Sequence, residues 1–121
     1  MLKIRLYSVI AIAHNGCNIT AEFILNKDDN IFDGHFPGQP VLPGACMLQI
    51  LKEVLEEALN KKIRLEKADQ MKFLALIDPV VSNDLQLDIS YTSTEGNLKV
   101  NATMSNSSGP CFKFRGSFNS H

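Results

Sequence analysis

The sequence predicts an α+β fold in which a curved antiparallel sheet wraps around one long helix. Short runs of alternating apolar and polar residues occur on both sides of the middle of the chain, which is typical of strands joined by hairpins. Between them, residues 43–62 repeat their apolar side chains at helical spacing over a wide face, and such a face needs a sheet to cover it. We expect the 121 residues to form one domain, 1–121.

Composition and charge exclude several classes of protein. Twelve basic and 13 acidic residues give a net charge of −1, whereas a nucleic-acid binder needs a basic excess. No apolar run reaches the roughly 18 residues of a membrane span, so no membrane partner is expected. Three cysteines without a CxxC pair favour a reducing, cytoplasmic compartment. Residues 1–13 resemble a short export signal, but the residues before Cys17 lack a cleavage pattern, which favours a first strand.

Alternation predicts a hairpin from residues 2–13 and 17–25. In the first strand the apolar face is expected to include Ile10, with Tyr7 on the opposite face, and Asn15-Gly16 supplies a turn because both residues tolerate positive φ. After the helix come a mixed run at 63–76 and three further alternating runs, with turn signals at Glu95-Gly96 and at residues 107–110. The predicted strands in that part of the chain centre on 85–91, 98–104 and 112–118.

The segment 26–44 is irregular but apolar. Its three prolines and three glycines exclude a helix or a central strand, yet Phe32, Val41 and Leu42 are more apolar than an exposed loop requires. We therefore expect this loop to pack against the core in a fixed shape. Pro43 suits the first turn of the helix that follows, and Asn60 is suited to cap its end, with Lys61 and Lys62 closing the last turn.

The loop carries His35 and leads directly to the start of the helix. Imidazole has an unperturbed pKa near neutrality, so it suits proton transfer at physiological pH. Unpaired amides from Gly44 to Cys46 attract developing negative charge, such as that on a carbonyl oxygen becoming an enolate. A histidine beside these amides is suited to proton abstraction, although the residues alone leave a structural role for it open.

The string from Gly34 to Gly44, GHFPGQPVLPG, resembles the signature of the β-hydroxyacyl-acyl carrier protein dehydratases of fatty-acid synthesis. Eleven consecutive positions fit, and weaker similarity extends over the helix and residues 72–87. The resemblance implies a hot-dog fold, which agrees with the architecture derived above. It also implies 3-hydroxyacyl thioesters of acyl carrier protein as substrates, and a dimer in which two sheets join edge to edge with two active sites at the interface.

The resemblance assigns roles to several positions. It makes His35 the base that removes the α-proton, and the Gly44 amide the group that polarises the thioester carbonyl. The family's acid, fourteen residues after the histidine, falls on Gln49, and Glu53 stands where the family usually has glutamine. These two residues share a helix face, about 6 Å apart along its axis. Substrate binding is expected at Phe36, Pro43, Gly44, Ala45 and Phe73, and an apolar acyl tunnel at Phe32, Phe36, Met47 and Phe73.

Because a carboxamide holds a hydroxyl but does not supply a proton as a carboxyl does, three hypotheses stay open. The chain is a working dehydratase with Glu53 or an ordered water as acid, or a subunit that takes a carboxylate from a related dehydratase partner. Alternatively, it hydrolyses or binds acyl thioesters. Asp33 is a nearby acid that we interpret as a turn residue, and the basic residues within 61–72 form either a docking patch for acyl carrier protein or a solvated face. No spacing indicates a metal site or a phosphate-binding loop, so no cofactor is expected.

Overall fold

A computed structural model describes residues 6–32 and 41–120 of the chain. Its six strands form one antiparallel sheet in the order β1-β2-β4-β5-β6-β3, which curls around a single α-helix of the described residues. The predicted α+β class is therefore confirmed. The elements are β1 Tyr7–Asn15, β2 Asn18–Leu25, a 3₁₀ turn Asn30–Phe32, α1 Gly44–Leu59, β3 Arg64–Phe73, β4 Asp84–Thr94, β5 Asn97–Asn106 and β6 Gly109–Asn119.

The core lies between α1 and the inner face of the sheet. On the helix, Ile50, Leu51, Val54 and Leu55 are each at most 1 % exposed. Every second residue of β2, β4 and β5 is buried against them, which is the pattern of strands with one covered face. Since burying one such side chain contributes roughly 1.5–3 kcal/mol, packing holds the helix in place.

The ends of α1 follow the sequence signals closely. Pro43 precedes the helix in an extended conformation, with φ −63° and ψ 147°. At the other end Asn60 adopts the left-handed conformation, with φ 53°, and its amide donates to the Glu56 carbonyl. The predicted cap at Asn60 is confirmed, whereas Lys61 and Lys62 follow the helix and do not belong to its last turn.

The hairpin turns form where the sequence indicated them, with one shift. In the first hairpin the two turn residues are Gly16 and Cys17, since their neighbours pair across the strands. Gly16 has φ 60°, as a type II′ turn requires at its first central position. In the β4–β5 hairpin Glu95 and Gly96 both have positive φ, so the predicted turn is confirmed.

A β-bulge changes the faces predicted for the first half of β1. The register shifts between Val9 and Ala11, so Ile10 has no partner in the ladder and is 58 % exposed. Before the bulge Tyr7 points into the core and is 1 % exposed. The expected faces of Tyr7 and Ile10 were therefore wrong, because one inserted residue moves the side chains on its two sides to opposite faces.

The described ends of the irregular segment pack against the core as predicted. Phe32, Val41 and Leu42 are buried, and the Leu42 amide donates to the Ile77 carbonyl at 2.8 Å. At the beginning of the segment Asp29 Oδ1 accepts from the amide two residues further on, which fixes the start of the 3₁₀ turn. Both described ends of the segment are therefore anchored to the core.

We expect Gly116→Ala to destabilise the fold strongly. Gly116 lies on β6 opposite Ala68, and a Cβ there would meet the Lys67 carbonyl oxygen and, at 2.7 Å, Phe114 Cζ. Overpacking of this kind costs about 1–3 kcal/mol. Urea unfolding measures the loss, and Lys113→Ala, at an exposed position of the same strand, is the matched control. Equal unfolding midpoints for the two variants would contradict the close approach of the strands at Gly116.

Candidate active site

The first amides of α1 are available to a ligand. The amides of Cys46 and Met47 both donate to the Pro43 carbonyl, at 3.0 and 3.3 Å. Within the described part of the chain, the amides of Gly44 and Ala45 have no acceptor, and no side chain caps the helix. Two N–H groups at the positive end of the helix dipole can therefore bind an anionic oxygen.

An aromatic side chain covers the start of the helix. A Cβ on Gly44 would lie 2.7 Å from Phe73 Cε1, so the absence of a side chain at Gly44 lets the Phe73 ring approach the backbone. The ring stacks on Phe112, with centroids 5.2 Å apart, and is 54 % exposed. The structure thus brings together two of the predicted substrate-binding residues, Gly44 and Phe73, while Pro43 is half-buried and Ala45 exposed beside them.

A carboxylate lies buried further along the helix. Glu53 is 4 % exposed, and its two oxygens accept hydrogen bonds from different directions. The Tyr7 hydroxyl donates to Oε1 at 2.9 Å, and Gln49 Nε2 donates to Oε2 at 2.8 Å. The structure therefore brings the predicted pair Gln49 and Glu53 into direct contact and adds Tyr7 from β1.

Sequence reasoning missed Tyr7 and did not predict that Glu53 is buried. The burial of Glu53 had a signal, since the residue follows Cys46 by seven positions and Ile50 by three, on the face that the core covers. For Tyr7 there was no such signal, because the alternation of apolar and polar residues in β1 does not indicate the bulge that turns Tyr7 inward.

The environment of Tyr7 keeps its phenol protonated. Burial is the main cause that raises the pKa of Tyr7 far above its usual value, followed by the hydrogen bond to Glu53 and the negative charges of Glu53 and Glu57. A protonated phenol donates a hydrogen bond, and the carboxylate accepts one at each oxygen. Tyr7 and Gln49 therefore each donate a hydrogen bond to a different oxygen of Glu53.

Several predicted residues lie outside the described residues or in open surroundings. His35, Phe36 and Asp33 fall within 33–40, so their predicted roles stay predictions. Of the proposed tunnel residues, Phe32 and Met47 are buried, at 5 % and 3 % exposed. Phe73 faces solvent in the single chain.

Three cavities lined by described residues lie away from this group. One of about 560 Å³ lies on the outer face of the sheet beside Lys113 and Arg115. Two others, of about 480 and 450 Å³, are lined by residues around Ile10 and around Glu66. Among the described residues no group of three or more His, Cys, Asp or Glu side chains is arranged to hold a metal ion.

Comparison with known proteins identifies the family. Residues 11–110 match the model of the ApeI-like family, described as ApeI dehydratase. The chain belongs to the ApeI-like dehydratase family. This match covers all of β2, α1, β3, β4 and β5, together with the predicted positions from His35 to Phe73.

Curated relatives carry the name 3-hydroxyacyl-(acyl-carrier-protein) dehydratase FabZ. The protein of Chlamydia pneumoniae is 34 % identical over 88 residues, which cover 65 % of this chain and 58 % of the relative. The protein of Myxococcus xanthus is 30 % identical over 88 residues, covering 67 % of this chain and 58 % of the relative. The chain thus spans less than two thirds of the length of these relatives.

Solved structures confirm the hot-dog fold. One is the dehydratase heterocomplex ApeI:P from Xenorhabdus doucetiae, with a TM-score of 0.75, 18 % identity, and coverage of 93 % of this chain and 96 % of that one. Another is the PaaI protein of E. coli, from the phenylacetic acid degradation operon. It has a TM-score of 0.67 at 11 % identity, and the match covers 95 % of this chain and 79 % of that one.

In the ranges that the structure describes, none of the helical segments combines the length and the apolar character needed to cross a membrane.

Alkaline pH is expected to weaken the fold through Tyr7. In the unfolded chain the pKa of tyrosine is about 10, whereas the folded protein keeps the phenol protonated to higher pH. Above about pH 10 the unfolded chain therefore binds fewer protons, and the free energy of unfolding falls by up to about 1.4 kcal/mol per pH unit. Urea unfolding of wild type and Tyr7→Phe at a series of alkaline pH values measures this loss.

The Tyr7→Phe variant should lose less stability with rising pH than the wild type. Some loss should remain in the variant, because burial also raises the pKa of Tyr91 and of Cys111. Identical pH dependence in the two proteins would show that Tyr7 does not control alkaline stability.

Proposed function

We propose that this protein dehydrates 3-hydroxyacyl thioesters carried on acyl carrier protein, in the cytoplasm, with His35 as the base. The observation that carries the proposal is the start of α1, at the end of the GHFPGQPVLPG string. There Gly44 packs against Phe73, and the amides of Gly44 and Ala45 have no acceptor among the described residues. Membership of a dehydratase family and FabZ relatives support it.

In the proposed reaction His35 takes the α-proton of the substrate. The electron pair of that C–H bond moves towards the thioester carbonyl, and the Gly44 amide stabilises the charge on its oxygen. The 3-hydroxyl then takes a proton and leaves as water, and a double bond forms between the second and third carbons. Phe73 and Met47 offer apolar surface to the acyl chain, together with Phe32 and Phe36.

The proposed reaction also needs a donor for the proton that the leaving hydroxyl takes. Gln49 stands at the family's acid position and supplies hydrogen bonds but no proton. Glu53 is buried, and both of its oxygens accept hydrogen bonds, so it reaches the hydroxyl only through Gln49 or a water molecule. We therefore assign Gln49 and Glu53 to the site as a pair that holds the hydroxyl.

A second candidate is a subunit whose site is completed by a partner. The sheet ends at β3, an edge strand with apolar side chains in solvent: Leu65 is 41 % exposed, Met71 42 % and Phe73 54 %. Natural proteins protect such edges, because unpaired strands recruit other chains. In this proposal a second copy or a related dehydratase subunit pairs with β3 and contributes a carboxylate, and the solved dehydratase heterocomplex of the same fold supports it.

Turnover of a 3-hydroxybutyryl thioester of acyl carrier protein tests the proposed reaction. His35→Ala should lower turnover by about 10²–10⁴-fold, the usual contribution of a general base. His14→Ala, at an exposed position on β1, is the matched control and should remain active. Gln49→Glu should raise turnover if the natural protein lacks its acid. Unchanged turnover in His35→Ala, or release of free thiol in place of an enoyl thioester, would refute the proposal.

Pairing through β3 is tested by a charge on that edge. Met71→Lys should shift the protein to monomers, measured by light scattering after size-exclusion chromatography, and turnover should fall with it. Ile10→Lys is the control, since Ile10 is an exposed apolar residue on β1 at the opposite edge of the sheet. A wild-type monomer with full activity alone would rule out the need for a partner.

A further inference from the structure

The group of Tyr7, Glu53 and Gln49 contains a residue with no role in the reaction proposed above. Tyr7 is separated from Glu53 by 46 positions along the chain, yet its hydroxyl lies 2.9 Å from Glu53 Oε1. The contact is buried at both ends, at 1 % exposed for Tyr7 and 4 % for Glu53. A hydrogen bond to a charged group in such surroundings is stronger than a neutral surface contact.

The Tyr7 ring is itself held firmly. It lies edge-on to Phe23 of β2, with centroids 5.5 Å apart and planes at 69°, and its backbone pairs with Leu25. The bulge at Ile10 is what turns this side chain towards the helix. The phenol therefore presents its hydroxyl from a fixed position in the sheet, with little conformational freedom to lose.

The hydrogen bonds to Glu53 also determine which atom of the Gln49 carboxamide is turned away from Glu53. Because Gln49 Nε2 donates to Glu53 Oε2 at 2.8 Å, the amide group is fixed and its carbonyl oxygen faces away from the carboxylate. Gln49 is half-buried, so part of its side chain reaches the helix surface. A substrate hydroxyl that donates to the Gln49 carbonyl oxygen keeps both of its own lone pairs free for an incoming proton. If the amide were turned round, its N–H would donate to the hydroxyl and occupy one of these lone pairs.

We propose that Tyr7 is a positioning residue that acts through Glu53 to fix the Gln49 carboxamide, so that its oxygen receives the 3-hydroxyl of the substrate. This inference rests on the proposed dehydratase function. Tyr7 does not touch the substrate. It anchors one oxygen of Glu53 so that the other stays aligned with Gln49.

The first test compares Tyr7→Phe with Tyr91→Phe, which removes the chain's other phenol hydroxyl at an exposed contact with His14. Steady-state kinetics should show that kcat of Tyr7→Phe falls by about tenfold, the loss expected for a hydrogen bond to a charged group, with KM nearly unchanged. Tyr91→Phe should match the wild type. The double variant Tyr7→Phe/Glu53→Gln should be no slower than Glu53→Gln alone, because both changes break one line of contacts. Multiplying losses would overturn the proposal.

The second test measures the side-chain amide signals of Gln49 and does not depend on turnover. Its side-chain amide signals in ¹H–¹⁵N spectra are assigned by their absence in Gln49→Ala, and near-UV circular dichroism checks that each variant is folded. In the wild type one amide proton should exchange slowly with solvent, and in both Tyr7→Phe and Glu53→Gln it should exchange faster and shift.

The two tests separate the two proposals. Unchanged Gln49 signals in folded Tyr7→Phe would overturn the positioning role, whatever the kinetics. If Tyr7→Phe does not fold, an unchanged signal in folded Glu53→Gln overturns it equally. If wild type produces no enoyl thioester while the Gln49 signals respond as expected, the proposed function fails and the fixing of Gln49 by Tyr7 stands.

Discussion

The covered face of α1 is the constraint on which the rest of the structure depends. A helix enclosed by a curled sheet tolerates only apolar side chains on that face, unless a polar group brings its own hydrogen-bond partners. Four side chains of this face are apolar, those of Ile50, Leu51, Val54 and Leu55. Glu53 is polar and buried, and it has its own hydrogen-bond partners. The donors to Glu53 come from the sheet, through Tyr7, and from the preceding turn, through Gln49. The polar chemistry of this helix therefore follows from the way the core packs.

Local periodicity made most of the fold predictable. The three hairpins, the helix and its end at Asn60 each have signals within a few neighbouring residues, such as alternation, a Gly or Asn at a positive φ, or a proline before the first turn. The bulge at Ile10 has no such signal, since it depends on how β1 meets β2. A single extra residue there causes Tyr7 to be buried. The predicted faces of Tyr7 and Ile10 were therefore wrong, whereas the helix was predicted correctly.

The candidate site was predictable only in part, and for a related reason. The string from Gly34 to Gly44 is contiguous, so its resemblance to a dehydratase signature needs no tertiary information. The contact between Gly44 and Phe73 joins residues from different elements, and the resemblance, more than any pattern, suggested it. Exposure of Phe73 and Met71 on an edge strand is a property of the folded sheet, and no local sequence pattern indicates it.

The acid and the amide of the family pattern are exchanged here, but the exchange does not simply move the acid by one turn. Residue 49 is half-buried and nearer the start of the helix, whereas residue 53 lies beneath Tyr7 with both oxygens accepting hydrogen bonds. In the proposed mechanism the exchange therefore changes the function of the pair, because Glu53 orients the carboxamide of Gln49 and this carboxamide binds the hydroxyl. In that mechanism the proton for the leaving hydroxyl comes from outside the pair, in a water molecule or on a side chain of another subunit. The exposed edge at β3 is where the proposed subunit has room to pair.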